Sequence, residues 1–300
     1  MQRIELQHQD VVLALRVYEP EGGGVPLANL VLGGAMGVKQ DFYAPFAEWL
    51  AQQGYRVTSF DYRGMGDSRR PPQRRSLRGF EANLFDWAND YEAVVGHARA
   101  ACPAAALYLL GHSLGAQLPG LFQRPEQISG LLSLASGSGY WRENAPRLRR
   151  AVPYFWWLLV PLATRLWGYF PGRRLRKVGD LPAGVMLQWR RWCLNPRYSV
   201  GAEGAETTQR YGQVRFPVLA LSIADDELMT LRGTQSLMSL YPNAPRRIEV
   251  VAPADVQARR IGHFGWFRDS FKPTLWPRTI VSLGALASLR PAGGVAHPTT

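Results

Sequence analysis

Two rhythms of apolar and polar positions alternate along this chain. Residues 11–20, "VVLALRVYEP", change side at every second position and predict a half-covered strand that pairs with residues 2–8 as an antiparallel hairpin. "ANLVLGG" (28–34) is instead a continuous apolar run closed by glycines, as expected of a strand covered on both faces. Helical spacing follows in "FYAPFAEWLAQQGY" (42–55), with Gly54 as its stop signal. The next strand and turn lie in "RVTSFDYRGMGDS" (56–68), an amphipathic helix covers 80–100, and "AALYLLGHS" (105–113) is a third buried strand. A helix opening in "LGAQLPGLFQ" is expected to be bent or shortened by Pro119. Further strands are predicted at 128–136, in "FPVLALSIADD" (216–226) and in "RRIEVVA" (246–252). A helix over 233–241 separates the last two, and a final helix is expected from about residue 268. This alternation predicts the α/β class, with a mostly parallel central sheet and helices on both faces.

The alternation is interrupted once. Between 136 and 216 the chain is rich in Trp, Arg, Pro and Tyr and has little strand character. A helical cap is therefore expected over 140–210, inserted into a core made of 1–139 and 211–290. Residues 291–300 are small and polar enough to form a frayed tail. The apolar run "AVPYFWWLLVPLATRLWGYF" (151–170) has the length of a membrane span. It carries Pro153, Pro161 and Arg165, however, and a charge in hydrocarbon costs roughly 2.5–3.5 kcal/mol. The run is assigned to the cap instead, with Arg165 in water and Trp156, Trp157 and Trp167 turned inward.

Composition adds bounds to this picture. With 300 residues, 46% of them hydrophobic, the chain can bury one sizeable core and a smaller appended unit. Its net charge of +12 comes almost entirely from arginine, since the lysines are Lys39, Lys177 and Lys272 alone, and it predicts peripheral attraction to anionic surfaces. Nucleic acid is not an expected partner, because the densest basic run, "RRPPQRRSLR" (69–78), has no interleaved aromatics and no helix-turn-helix or zinc-finger spacing. Cys102 and Cys193 lie too far apart in sequence to suggest a metal site or a disulfide framework. The opening "MQRIELQHQDVV" lacks an apolar stretch after a basic start, so no secretory signal is read and a cytoplasmic location is the default expectation.

Candidate chemistry sits where the third buried strand ends. In "LLGHSLGAQL" (109–118), Ser113 lies between Gly111 and Gly115, directly after a strand and ahead of a helical segment. A serine hydroxyl attacks a carbonyl only when it is lifted from the chain and served by a base, and a tight glycine-flanked turn does the lifting. Nucleophile, acid and base are expected in that chain order. The acid is Asp226 or Asp225 at the end of "VLALSI", with Asp226 favoured by spacing. The base is His263, in "RIGHFGWF", where Gly262 and Gly265 suit a mobile loop. His112 is read as packing beside the nucleophile. Two N–H groups are needed for the developing oxyanion. Leu114 supplies one, and the glycine loop "GGAMG" is expected to supply the other through Ala35, with Met36 the alternative.

Together, "GHSLG" at 111, "DYRGMGDS" at 61, "DDEL" at 225 and "GHFGWF" at 262 resemble the α/β-hydrolase superfamily. The resemblance spans residues from 10 to 288 and lies nearest a bacterial branch akin to monoacylglycerol-lipase-like and serine-aminopeptidase-like hydrolases. It departs at Gly33 and Gly34, where such proteins often carry a His-Gly pair. The resemblance implies that Asp61, Arg63 and Gly64 are scaffold. It also implies acyl transfer through Ser113, with His263 moving the proton, an aspartate orienting the imidazole, water releasing the acyl group, and no cofactor or metal. The aromatic, arginine-rich cap favours a small-molecule ester with an apolar acyl group. Amidase or aminopeptidase activity, acyl transfer to another acceptor and a non-catalytic binding role are the alternatives.

Overall fold

The computed structural model describes residues 1–289, so the expected tail at 291–300 lies outside the described residues. In chain order the strands are β1 (Gln2–His8), β2 (Val11–Tyr18), β3 (Asn29–Gly33), β4 (Arg56–Phe60), β5 (Leu107–His112), β6 (Gly130–Leu134), β7 (Tyr169–Phe170), β8 (Leu181–Pro182), β9 (Val218–Ile223) and β10 (Arg246–Val251). β7 and β8 pair with one another; the remaining eight form one sheet in the order β1-β2-β4-β3-β5-β6-β9-β10. β1 and β2 are the predicted hairpin, in register from Gln2 opposite Val17 to His8 opposite Val11. β2 runs antiparallel to β4, and from β4 to β10 every neighbouring pair is parallel.

The continuous apolar runs are explained by cover on both faces. Along β5, Leu107 and Leu109 enter the core beneath the helix Leu84–Ala101, whereas Leu110 enters the opposite core with Phe46 and Trp276. Val218 and Ala220 of β9 join the first core and Leu219 and Leu221 the second. The helices are α1 (Ala44–Gln52), α2 (Pro71–Arg75), α3 (Leu84–Ala101), α4 (Pro146–Pro153), α5 (Val160–Trp167), α6 (Ala183–Leu194), α7 (Tyr198–Glu203), α8 (Ala205–Gln213), α9 (Leu231–Ser239) and α10 (Leu275–Ser288).

Three local expectations change in detail. Beyond β5 the chain forms two short 3-10 turns, Ser113–Ala116 and Leu118–Leu121, because Pro119 cannot donate to a longer helical ladder. The last helix begins at Leu275, not near 268. Turns at Gly265–Phe267 and Asp269–Phe271 precede it, and Pro273, which offers no N–H, separates them from α10. Between β6 and β9 the chain is mostly helical, with the short pair β7 and β8, and α4 and α5 are joined by a π-helical turn, Tyr154–Leu159, into one run over 146–167. Pro161 lacks an N–H and its ring crowds the carbonyl one turn back, so the ladder widens just ahead of it.

Within that run, Trp156 is buried and Arg165 is exposed, as the sequence suggests. Trp157 is not turned inward: it is 50% exposed, and Trp167 is only half-buried. Consecutive residues of a helical turn project in well-separated directions, so Trp156 and Trp157 do not both face the core. No helix among the described residues is long and apolar enough to cross a membrane.

The turn after β4 carries "DYRGMGDS" and is built from buried ionic contacts. Asp61 accepts hydrogen bonds from the backbone amides of Gln40 and Asp67, both at 2.9 Å, which ties this turn to the segment after β3. Arg63 donates from its amide (3.0 Å) and from Nη2 (2.7 Å) to Asp90 on α3, whose side chain is fully buried. Removing one partner of such a pair strands a charge in the core. Asp90→Ala is accordingly expected to lower the unfolding free energy by about 3–5 kcal/mol in urea titration. Asp10→Ala removes a carboxylate that is 85% exposed and 3.9 Å from Arg63, and should cost less than about 1 kcal/mol.

Candidate active site

Every candidate residue follows a carboxyl end of a parallel strand, the edge where sites form in sheets of this kind. Ser113 comes directly after β5 with φ of +54°, a left-handed conformation that is uncommon for a side-chain-bearing residue. The neighbouring glycines allow it. A Cβ on Gly115 would collide with the carbonyl of Gly33 on the adjacent strand, and one on Gly111 would stand 2.6 Å from the Cα of Ala116. Ser136, beyond β6, donates its hydroxyl to the Ser113 carbonyl at 2.7 Å and fixes the turned peptide. Ser113 is 7% exposed, and its own hydroxyl makes no hydrogen bond to any described residue.

Asp226 and His263 meet beyond the ends of β9 and β10. Asp226 Oδ2 lies 2.7 Å from His263 Nδ1, and both side chains are buried. Its other oxygen accepts from the amides of Leu228 (2.7 Å) and Met229 (2.9 Å), which fixes the carboxylate plane. An ionised carboxylate only accepts, so Nδ1 carries the proton and Nε2 is left as the basic nitrogen. The imidazole lies beside the end of β5 that carries Ser113, with ring centroids of His112 and His263 4.9 Å apart.

Asp225 takes a different part. Its two oxygens accept from the amides of Ile261 and Gly262, each at 3.0 Å. Glu227 accepts from the His263 amide at 3.1 Å and pairs with Arg260 at 3.0 Å. Burial pushes the Glu227 carboxyl up, but hydrogen bonds, among them those from the His263 amide and Arg260, outweigh it and hold its pKa below the usual glutamate value. Three consecutive acidic residues thus hold one loop. The glycines around His263 suggest a mobile segment; the structure shows one tied at three successive amides.

His112 links this loop to the one after β3. Its Nε2 lies 3.0 Å from the His263 carbonyl and its Nδ1 lies 2.8 Å from the Tyr43 hydroxyl. A carbonyl cannot donate, so Nε2 bears the proton and Nδ1 accepts from the Tyr43 O–H. The Tyr43 oxygen in turn accepts from the Ala35 amide at 2.8 Å. Burial, with His263 alongside, pushes the His112 pKa well below 6.5, which keeps the ring neutral as this directional chain requires.

That chain corrects one expectation. The Ala35 amide is already bonded to Tyr43 and is not a free donor. The Met36 and Leu114 amides have no acceptor among the described residues, and both residues are buried at this edge. Tyr43, Ser136 and Glu227 carry no motif that would single them out in sequence. For Glu227 the run of three acids at a strand end is the one available signal.

Several solved structures share this architecture. Monoglyceride lipase from Saccharomyces cerevisiae, solved as a soluble variant with a substrate analogue, is 15% identical, with 94% of each chain covered and a TM-score of 0.68. A carboxyl esterase from Bacillus coagulans is 11% identical, covering 95% of this chain and 98% of its own, with a TM-score of 0.64. A lipase-like structure from Acinetobacter baumannii is 16% identical, covering 96% and 92%, with a TM-score of 0.61. At these identities the likeness speaks for the fold. No curated protein matches the sequence. Residues 26–254 match the family described as serine aminopeptidase, S33, and the chain belongs to that family of α/β hydrolases.

Proposed function

We propose that this hydrolase is a serine esterase that works through an acyl-enzyme on Ser113. The supporting observation is the 2.7 Å contact between Asp226 and His263 on a loop whose carbonyl is bonded by the residue just before Ser113. In this reading Ser113 Oγ attacks the ester carbonyl carbon as His263 Nε2 takes its proton. The carbonyl oxygen gains charge between the amides of Leu114 and Met36. Collapse breaks the bond to the alcohol, which leaves with the proton from His263. Water repeats the sequence, releases the acid and restores the serine. Asp226 fixes the imidazole tautomer and stabilises the imidazolium without itself being protonated. No metal or cofactor enters this route.

The segment over 140–210 serves as the cap in this proposal. Its inner residues Val152, Trp156 and Val160 are buried and apolar, which favours an apolar acyl chain. The acidic residues of the segment are Glu143, Asp180, Glu203 and Glu206, and each is paired with an arginine. None is left for a substrate amine, so ester cleavage is preferred over aminopeptidase action. Likeness to a monoglyceride lipase and a carboxyl esterase agrees with that choice.

Activity-based labelling tests the nucleophile. A fluorophosphonate is expected to label the wild type and not Ser113→Ala, with octanoyl p-nitrophenyl ester hydrolysed faster than acetyl; labelling of the variant would reject the assignment. The two aspartates should separate by kinetics. Asp226→Asn is expected to lower kcat by about 10⁴, as loss of a triad aspartate does elsewhere, while Asp225→Asn loosens two amides and loses far less.

His112 gives a pH test. Its folded pKa is depressed below 6.5, so the unfolded chain binds a proton there that the folded chain does not. Stability is full above about 6.5 and falls as pH drops below it, by up to about 1.4 kcal/mol per pH unit for this group. In His112→Gln the urea midpoint should depend less steeply on pH between about 6.5 and 5. An unchanged slope would remove His112 from the account.

A further inference from the structure

The helical run over 146–167 has two apolar faces. Val152, Trp156, Val160 and Ala163 are buried in the core. Tyr154, Leu158, Leu162 and Leu166 recur every fourth position on the other side, with Trp157 beside them, and are 57, 50, 51, 63 and 50% exposed. A helix that is apolar on both faces needs a second apolar medium, or its outer side chains stand in water.

The surroundings of that outer face are basic. Arg147, Arg149 and Arg150 are exposed at its start, and Arg173, Arg174, Arg176 and Lys177 are exposed just past its end. A distant segment joins them. Arg78 donates from Nη2 to the Leu166 carbonyl (2.8 Å) and from Nε to the Trp167 carbonyl (3.1 Å), which brings the "RRPPQRRSLR" run alongside. Residues 140–180 hold nine Arg and Lys against Glu143 and Asp180, and those two carboxylates are 11% and 7% exposed. The outer face therefore shows cations around apolar side chains and almost no negative charge.

We infer that this face docks the protein on an anionic lipid bilayer, with Trp157, Leu158, Leu162 and Leu166 entering the interface and the arginines meeting lipid phosphates. A helix lying in the interface combines apolar burial with attraction to anionic headgroups, and each element is present here. A second copy of the chain is the poorer partner, because apposing two such faces would bring like charges together across the contact. The helix lies on the membrane without crossing it. Docking needs neither Ser113 nor ester cleavage, so the two readings stand or fall apart.

Flotation with vesicles of phosphatidylcholine, with and without phosphatidylglycerol, tests the inference on the full chain. The wild type is expected to float with phosphatidylglycerol vesicles only, less so at high salt, and Ser113→Ala is expected to do the same. Each arginine changed to glutamine at 147, 150 or 174 should weaken binding about fivefold. The pair Leu162→Gln and Leu166→Gln should abolish flotation while circular dichroism stays unchanged. Absence of flotation, or equal flotation on both vesicles, would overturn the inference. So would a dimer that the leucine pair dissolves in a protein that ignores vesicles. The wild-type comparison between the two lipids needs no variant, so misfolding of the leucine pair leaves the test intact.

Discussion

A neutral imidazole buried between two loops is the contact on which the arrangement of this site depends. His112 can hold the His263 carbonyl only through a protonated Nε2, and can then receive the Tyr43 hydroxyl only at Nδ1. The hydrogens along the chain consequently point one way, from Ala35 through Tyr43 to His112 and on to the His263 carbonyl. Loops after β3, β5 and β10 are fixed relative to one another by a single ring. A protonated His112 would offer two donors and leave the Tyr43 hydroxyl facing an N–H, so the low pKa and the geometry support each other.

The second anchor is the acidic run after β9. Asp225, Asp226 and Glu227 fan out from one strand end and contact successive groups of the same loop, two backbone amides, one ring and one further amide. Placing the imidazole this way uses the backbone amides of Ile261, Gly262 and His263 that lead into it. The apparent freedom conferred by Gly262 and Gly265 is thereby removed, and Gly262 instead provides the positive φ of 66° that lets the amides converge. The uncommon backbone conformation of Ser113 and the fixation of His263 are complementary in the proposed mechanism, where a serine held in that conformation is useful only beside an imidazole that does not wander.

Much of this was legible in the sequence because strand ends are legible. Continuous apolar runs located β3, β5 and β9, and the residues at their ends then had fixed places at one edge of the sheet. What pattern cannot carry is direction and long-range pairing. Whether Ala35 or Met36 offers a free amide turns on where one tyrosine hydroxyl lies, and Tyr43 reaches it from the short 3-10 turn just ahead of α1. Trp156 and Trp157 could not be told apart because an all-apolar run has no polar side to set the helical phase. The late start of α10 reflects two 3-10 turns that helical periodicity does not distinguish from a first helical turn.

The helical run over 146–167 has one consequence that bears on how its sequence can change. Because its two apolar faces are separated only by angle, its residues are specified by count as much as by kind. Unless a wider turn absorbs it, loss or gain of one residue ahead of Val160 would rotate everything after it by about 100°, taking Val160 and Ala163 out of the core. Substitutions among Leu, Ile, Met and Phe on the outer face should drift freely, whereas single-residue insertions and deletions should be confined to the π-helical turn Tyr154–Leu159, where a wider turn can absorb one residue.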